Sequence, residues 1–171
     1  GNDPLPIDDR RYFTVEVRPP ARLLLVGGEA NDVFLLREAL APSAGAELSA
    51  PRYACEAIGA EQLAGTPLVN FDAVFLSDPP PLSAQAWREL ADYVQSGGGL
   101  AIALGRNAVG NLELFNAPAP QVLLPGPLEF VASVRTYLRP TSYEHGVFRS
   151  LADLAGATPW NNFPVFRYWQ L

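Results

Sequence analysis

A chain of 171 residues, of which 49% are hydrophobic, is long enough for one globular domain of ordinary size. Its net charge of -6 and its lack of any basic run exclude nucleic acid and an anionic membrane surface as the main partner, because both require clustered positive charge. The longest apolar runs, such as LLLV and LAIALG, fall far short of the roughly 20 residues that a membrane span requires.

The first predicted element is a strand at residues 11–17, RYFTVEV, in which apolar and polar side chains alternate. Pro19 and Pro20 then stop the strand. We interpret residues 1–20 as the end strand of a preceding β-domain followed by a stiff linker. The alternative is an edge strand added to the α/β domain that we predict at residues 21–171.

A second strand and the first helix follow at once. The stretch ARLLLVGG from Ala21 is a continuous apolar run, which predicts a buried strand that leads into a helix. Asn31 is the predicted N-cap of this helix, and Pro42 marks its end. RYACEAIG at residues 52–59 predicts the next strand of the α/β domain.

The clearest strand–helix–strand unit spans FDAVFLSDPPPLSAQAWRELADYVQSGGGLAIALG. Ser83 is the predicted N-cap of its helix, Trp87 lies on the predicted inner face, and the glycines at 97–99 end the helix. This alternation predicts a doubly wound, mostly parallel, flavodoxin-like α/β sheet. LLLV, VFLS and LAIAL are its predicted central strands.

The pattern weakens after Asn111. EFVASVRTYLRP predicts a strand, HGVFRSLADLAG a short helix and FPVFRYWQL an extended segment. The two end segments, 12–17 and 163–171, are too apolar to stay in water, so they either fold back or pair with another copy. We expect at least one of them to join two chains in a homodimer of the fragment. Removing residues 1–18 and 163–171 should then leave a folded monomer.

Ligands of open α/β sheets bind beyond the carboxyl ends of the strands, which defines the candidate site. The ligand-binding candidates are the residues that follow the predicted strands: Gly28, Glu29, Asp32, Ser77, Asp78, Arg106 and Asn107. Gly28 belongs to no G-x-G-x-x-G pattern and Glu29 would repel phosphate, so we expect a tight turn there. Arg106 either binds a carboxylate, stays solvated or pairs with Asp78.

Catalytic groups are harder to assign. Cys55 lies inside a predicted strand, where we expect it to act as a small buried hydrophobic residue. Because Cys55 is the single cysteine, an internal disulfide is excluded. Ser77 lacks the flanking glycines of G-x-S-x-G. The lone His145 and Cys55 form no usual zinc set. We therefore predict no metal, cofactor or catalytic residue. The alternatives are a hydrolase that uses Ser77 or Cys55, and a metal-assisted one that uses the carboxylates of the candidate site.

The strand–helix–strand unit resembles the core of class I glutamine amidotransferase-like domains. It is most similar to divergent versions in bacterial membrane proteins that combine an N-terminal double-transmembrane segment, von Willebrand factor A-type regions and such a domain. DPLPIDDRRYFTVEV resembles the end of the preceding β-sandwich in that group. HGVFRSLADLAGATPWNNFPVFRYWQL resembles its downstream segment.

Active members of the wider class carry a G-x-C-x-G elbow after the strand that LAIALG matches, with a His and a Glu later in the chain. Gly105 fits the first glycine, whereas Asn107 stands in the cysteine's place and Val109 in that of the second glycine. Glu144 and His145 also lack the H-x-E order. The resemblance therefore implies a non-catalytic binding or interaction module rather than an enzyme.

The same resemblance implies a setting. Because the chain contains no Met, we expect a processed product or an excised piece of a longer protein, and favour the excised piece. The resemblance implies that this longer protein is membrane-anchored. Its first residues show no signal peptide pattern. The module would lie on the extracytoplasmic, periplasmic face, without direct membrane contact. Its partners would be other domains of the same polypeptide or a separate protein. A structural spacer that only positions its neighbours is the remaining alternative.

Overall fold

Four parallel strands form the central sheet of the protein, as seen in a computed structural model. The structure describes residues 13–14, 19–43, 52–138, 140–149, 151–154 and 160–171. The strands are β1 (Ala21–Gly27), β2 (Tyr53–Gly59), β3 (Ala73–Ser77) and β4 (Gly99–Ala103), in the order β2-β1-β3-β4. The predicted mostly parallel α/β fold is thus confirmed.

The apolar run of β1 is buried on both faces of the sheet. Leu24, Leu25 and Val26 are fully buried, as expected for a strand with a parallel neighbour on each side. Unlike β1 and β3, β4 is an edge strand of the described sheet, which corrects its prediction as a central strand. The chain after β4 turns into short helices and adds no further parallel strand among the described residues.

The segment after β1 begins with a 3₁₀ turn, Ala30–Val33, before α1 (Phe34–Leu40). The predicted N-cap, Asn31, is wrong because the turn begins at Ala30 and its N-cap is Glu29, two residues earlier. Instead, the Asp32 carboxylate accepts a hydrogen bond from the Glu29 N–H at 2.9 Å. After β2, two further 3₁₀ turns, Ala60–Gly65 and Leu68–Asn70, lead to β3.

Helix α2 (Ala84–Gln95) covers one face of the sheet. The Ser83 hydroxyl accepts a hydrogen bond from the Ala86 N–H at 3.1 Å, which confirms the predicted N-cap. Trp87 and Leu90 are buried as predicted, and the Trp87 ring meets Phe115 edge to face, with centroids 6.2 Å apart. This helix therefore provides the main apolar contact above the sheet.

The glycines after α2 end the helix and also leave room for the Tyr93 ring. Gly97 adopts a left-handed φ of 99°, which suits glycine because it has no Cβ. A Cβ on Gly98 would overlap the Tyr93 ring, so this glycine lets the ring lie against the backbone. The buried Tyr93 hydroxyl donates to the Phe71 carbonyl at 3.1 Å.

The second half of the chain forms short elements around the sheet. They are α3 (Arg106–Val109), α4 (Leu112–Phe115), α5 (Pro118–Gln121), β5 (Phe130–Ala132), β6 (Thr136–Tyr137), α6 (Gly146–Arg149), the 3₁₀ turns Ala152–Leu154 and Trp160–Asn162, β7 (Pro164–Val165) and β8 (Tyr168–Gln170). The strand predicted over EFVASVRTYLRP is therefore two short strands.

The C-terminal segment folds back onto its own chain. β8 pairs antiparallel with β5, and β7 pairs antiparallel with β6. Trp169 of β8 packs against the apolar core. The segment thus folds back on its own chain, but onto β5 and β6 rather than onto the domain's four-stranded sheet, which was the expected alternative. The strand predicted at 11–17 lies outside the described residues apart from Phe13 and Thr14, which have no regular secondary structure.

Among the helices of the described residues, none is long and apolar enough to span a membrane.

Candidate functional site

The predicted site lies at the end of the sheet formed by the carboxyl ends of the strands. From β1 the chain moves outward to β2 and then crosses to β3 and β4, so the order reverses between β1 and β3. Ligands of open α/β sheets bind beyond the carboxyl ends of the strands at this reversal. Ser77 is the last residue of β3, and the other candidates follow the carboxyl ends of β1, β3 or β4.

The residues after β1 form a tight turn around the Asp32 side chain. The carboxylate that accepts from the Glu29 N–H would lie 3.0 Å from a Cβ on Gly28. A Cβ on Gly27 would approach the Glu29 carbonyl oxygen to 2.5 Å, so both glycines permit close approaches. An acidic side chain thus occupies the turn, which agrees with the expected tight turn rather than a phosphate cradle.

The residues after β3 and β4 are tied together by what we call the Asp78–Asn107 clamp, made of Asp78, Gly105 and Asn107. The Asp78 carboxylate accepts from the Asn107 N–H at 2.9 Å, and the Asp78 carbonyl accepts from the Asn107 side-chain amide at 2.7 Å. A Cβ on Gly105 would lie 2.5 Å from the Asp78 carboxyl carbon, so glycine is required for this approach.

Asp78 holds an uncommon backbone conformation within the clamp. Its φ is 42°, in the left-handed region that Asp and Asn adopt more readily than most residues. Its N–H donates to the Ala103 carbonyl at 2.8 Å, which joins the end of β3 to the end of β4. Within the described structure Asp78 forms no ion pair with Arg106, which is exposed.

Cys55 and Ser77 lie on the same face of the sheet but far apart. Leu23 pairs with both Cys55 and Ala73, and Ser77 is four residues beyond Ala73. Strand geometry then separates the two side chains by about 16 Å, too far for one catalytic centre. Burial raises the pKa of the Cys55 thiol, an effect that the nearby Arg37 charge opposes. Reaction as a thiolate is therefore disfavoured.

Neither of these side chains is hydrogen-bonded to His145 in the part of the chain that the structure describes. His145 is exposed, with its ring 6.3 Å from that of Phe148. Over the same residues, no group of three or more His, Cys, Asp or Glu side chains is arranged to hold a metal ion. At the carboxyl ends of the strands the described residues thus form the clamp and the Asp32 turn, each with its own hydrogen bonds.

A groove of about 720 Å³, which the sequence did not predict, lies at the opposite end of the sheet, where the strands begin. It lies beside the amino ends of β3 and β4, between residues 64–69 and the last turns of α2. Its lining combines apolar side chains, including Leu68 and Phe71, with carboxylates. The acidic residues of the lining are Asp72, Glu89 and Asp92.

Tyr93 connects the groove to the core, since it lines the groove while its hydroxyl is bonded to the Phe71 carbonyl. Burial raises the pKa of the Tyr93 hydroxyl, and the negative charge of Asp72 raises it further. The glycines at 97–99 are the sequence signal near this groove. They predict the end of a helix, but not the close packing of the Tyr93 ring against Gly98.

Comparison with known protein families, with characterised proteins and with solved structures found no match. The function is therefore inferred from the residues and their geometry.

Proposed function

We propose that this chain is a non-catalytic binding module of the class I glutamine amidotransferase-like type within a larger, membrane-anchored bacterial protein. It acts on the extracytoplasmic side, and its partners are other domains of the same polypeptide or a separate protein. The observation that carries the proposal is the Asp78–Asn107 clamp. The clamp lies where active members of the resembled class carry their nucleophile.

The chemistry of the clamp supports a non-catalytic role. The Asn107 side chain is a neutral amide with no nucleophilic chemistry, and it is engaged by the Asp78 carbonyl. The Asn107 N–H, which could otherwise stabilise an oxyanion, donates to the Asp78 carboxylate. A developing negative charge at this position would face another negative charge, which disfavours acyl transfer.

The groove favours a binding role over a structural spacer. A spacer requires no concave surface on which apolar and polar side chains converge, whereas binding sites combine the two. Here Leu68 and Phe71 line the same groove as the carboxylates of Asp72 and Asp92. The resemblance supplies the membrane-anchored setting. The full-length reading frame tests it, since a parent polypeptide without flanking apolar spans would contradict it.

Activity assays test the non-catalytic role. We expect the purified protein to release no ammonia from L-glutamine above the buffer blank. Asn107→Cys is expected to gain no glutaminase activity, because a thiol without a nearby base stays protonated. For p-nitrophenyl acetate hydrolysis, Ser77→Ala and Cys55→Ala should match the parent. Thr66→Ala serves as the control, because it removes a hydroxyl near the amino ends of the strands, far from the candidate site.

Two results would contradict the proposal. The first is turnover that Ser77→Ala or Cys55→Ala abolishes while Thr66→Ala does not. The second is hydrolysis that Mn²⁺ creates, EDTA removes and Asp78→Asn impairs, which would support a metal-assisted hydrolase.

A further inference from the structure

The outer edge of β4 carries unpaired backbone groups. The Gly99 N–H donates to the Asp72 carbonyl at 3.0 Å, and the Ala103 carbonyl accepts from the Asp78 N–H at 2.8 Å. Because successive residues of a strand direct their backbone groups to opposite sides, Leu100 and Ile102 direct theirs away from β3. No described residue hydrogen-bonds with these outward groups.

This edge lacks the features that normally prevent strand pairing. Edge strands are usually protected by charged residues, prolines or bulges. The other edge strand, β2, contains Glu56, and its Gly59 N–H already donates to the Gln62 side chain at 3.2 Å. β4 reads GLAIA, with no charge and no proline. Within the part of the chain that the structure describes, it therefore presents an open template for another strand.

An apolar pocket of about 440 Å³ adjoins this edge. Its lining carries no charged side chain and includes Val94 of α2, Leu100, Ile102 and Leu104 along the edge, and Trp169 of β8. The opposite face of β4 carries the exposed Ala101 and Ala103. A strand that paired with β4 would direct every second side chain over the pocket and the others towards solvent.

We propose that this edge binds the same edge of a second copy of the chain, through antiparallel pairing of β4 about a two-fold axis at Ala101. In this register Leu100 lies opposite Ile102 of the second copy, and the reverse pair forms by symmetry. Each pair exchanges two N–H···O bonds, so all outward backbone groups of Leu100 and Ile102 are satisfied. The two four-stranded sheets become one continuous sheet.

A second copy fits this edge because the strand is its own complement. Both cross-strand pairs join leucine to isoleucine on the pocket face, where large apolar pairs stabilise strand association. On the other face the two Ala101 side chains meet without steric conflict. The two-fold arrangement is closed, so the dimer leaves no free β4 edge to which a third copy could bind. This inference goes beyond the proposed function, since it holds whether or not the domain is catalytic.

Ala101→Lys tests the pairing, measured by sedimentation equilibrium over a wide concentration range. Ala101 is exposed, so the monomer should fold normally, which circular dichroism checks. In the dimer the two lysines would lie directly opposite, and we expect the dissociation constant to rise by about tenfold or more. Ala54→Lys makes the same change at an exposed alanine of β2 and should leave the dissociation constant unchanged.

Disulfide cross-linking tests the register. In a Cys55→Ser background, Ala101→Cys should form an intermolecular disulfide on mild oxidation. The two Cα atoms of a non-hydrogen-bonded antiparallel pair are about 4.5 Å apart, within the range that a disulfide bridges. Ala103→Cys, which faces Gly99 in this register, should cross-link much less.

Three outcomes would overturn the proposal. The parent protein could stay monomeric at all concentrations. A dimer could form that Ala54→Lys, but not Ala101→Lys, weakens. A dimer could form in which Ala103→Cys cross-links as well as Ala101→Cys.

Discussion

Asp78 combines a strained backbone with three hydrogen bonds. It is the non-glycine residue with a positive φ in the described ranges, and its N–H, carbonyl and carboxylate all bind residues that follow β4. Such conformations persist only where the surroundings hold them. Here the surroundings are the Gly105 backbone and the Asn107 amide. Asp78 therefore determines how the chain leaves both β3 and β4.

Replacing Asp78 should separate its conformational role from its charge. Asp78→Ala loses the bond to the Asn107 N–H and places alanine at a positive φ, so the free energy of unfolding should fall by about 1–3 kcal/mol. Asp78→Asn keeps an oxygen acceptor and tolerates the same φ, and should stay within about 0.5 kcal/mol of the parent. Urea denaturation measures both. Equal stability of the two variants would contradict the clamp.

The sequence identified both residues of the clamp but not their contact. Asn107 was recognised from its place in the elbow pattern, and Asp78 from its position after a strand. Their hydrogen bonds join residues 29 apart in the chain, and local patterns contain no information about such pairs. One alternative that the sequence left open was an ion pair of Asp78 with Arg106, which the described residues do not form. The turn at Gly105 instead directs the Asn107 N–H at the carboxylate.

At the scale of elements, the end of α2 shows how one turn serves two purposes. The left-handed Gly97 stops the helix, and Gly98 leaves room for the Tyr93 ring that the same helix carries. The ring in turn reaches the Phe71 carbonyl just before β3. The helix end is thereby fixed to the sheet at the amino ends of its strands.

Tyr93→Phe tests this connection and its pH dependence. Loss of the bond to the Phe71 carbonyl should lower the free energy of unfolding by about 1 kcal/mol at neutral pH. The pKa of Tyr93 is raised in the folded state, so its contribution is complete below the unfolded pKa of about 10. Above that pH the unfolded chain loses the proton first, and stability falls.

Urea denaturation as a function of pH measures this effect. The parent should lose stability in alkali more steeply than Tyr93→Phe. Tyr168→Phe, which changes an exposed tyrosine, should follow the parent. Identical alkaline slopes for the parent and Tyr93→Phe would show that the folded state does not raise this pKa.

The four parallel strands and α2 could be predicted because their signals are local. Apolar runs, the Ser83 cap and the glycine stop each act within a few residues. The start of the first helical segment differs from the prediction because Glu29 is the N-cap, with the Asp32 carboxylate bonded back to its N–H, whereas Asn31 lies inside the turn. The pairing of β5 with β8 joins segments about 40 residues apart, beyond any local pattern.

At the scale of the molecule, the C-terminal segment belongs to the structure rather than to a detachable end. Trp169 packs against the core and shares a pocket wall with Leu100 and Ile102 of β4. β8 supplies the hydrogen bonds of β5. The expectation that trimming residues 163–171 leaves a folded monomer therefore needs revision. The equivalent expectation for residues 1–18 stays a prediction.

Deleting residues 163–171 should lower the free energy of unfolding by several kcal/mol, because it exposes the apolar surface under Trp169. Trp169→Ala should reproduce about 1–3 kcal/mol of that loss, as expected for a half-buried side chain. Phe166→Ala is the control, since that ring is 61% exposed and should matter little. Thermal and urea unfolding measure all three. A deletion variant as stable as the parent would contradict this role.

The whole-molecule architecture was predictable, but the edge position of β4 and the groove were not. The strand–helix alternation predicts LAIAL as a central strand, but it does not indicate which strand lies at the edge. In the structure the leucine and isoleucine face the core side, and the small Ala101 and Ala103 face solvent. The groove arises where residues 64–69 meet the end of α2, a juxtaposition that the fold creates and no single segment encodes.

The Asp78–Asn107 clamp also bears on how readily this position can change in evolution. A cysteine or serine at residue 107 lacks the amide donor that binds the Asp78 carbonyl, so a nucleophile there would begin with a stability deficit of about 1 kcal/mol. The left-handed turn of Asp78 would remain without that partner. A nucleophile gained at this elbow would thus lower stability until a second substitution offset the loss, so the amide disfavours the first step towards catalysis.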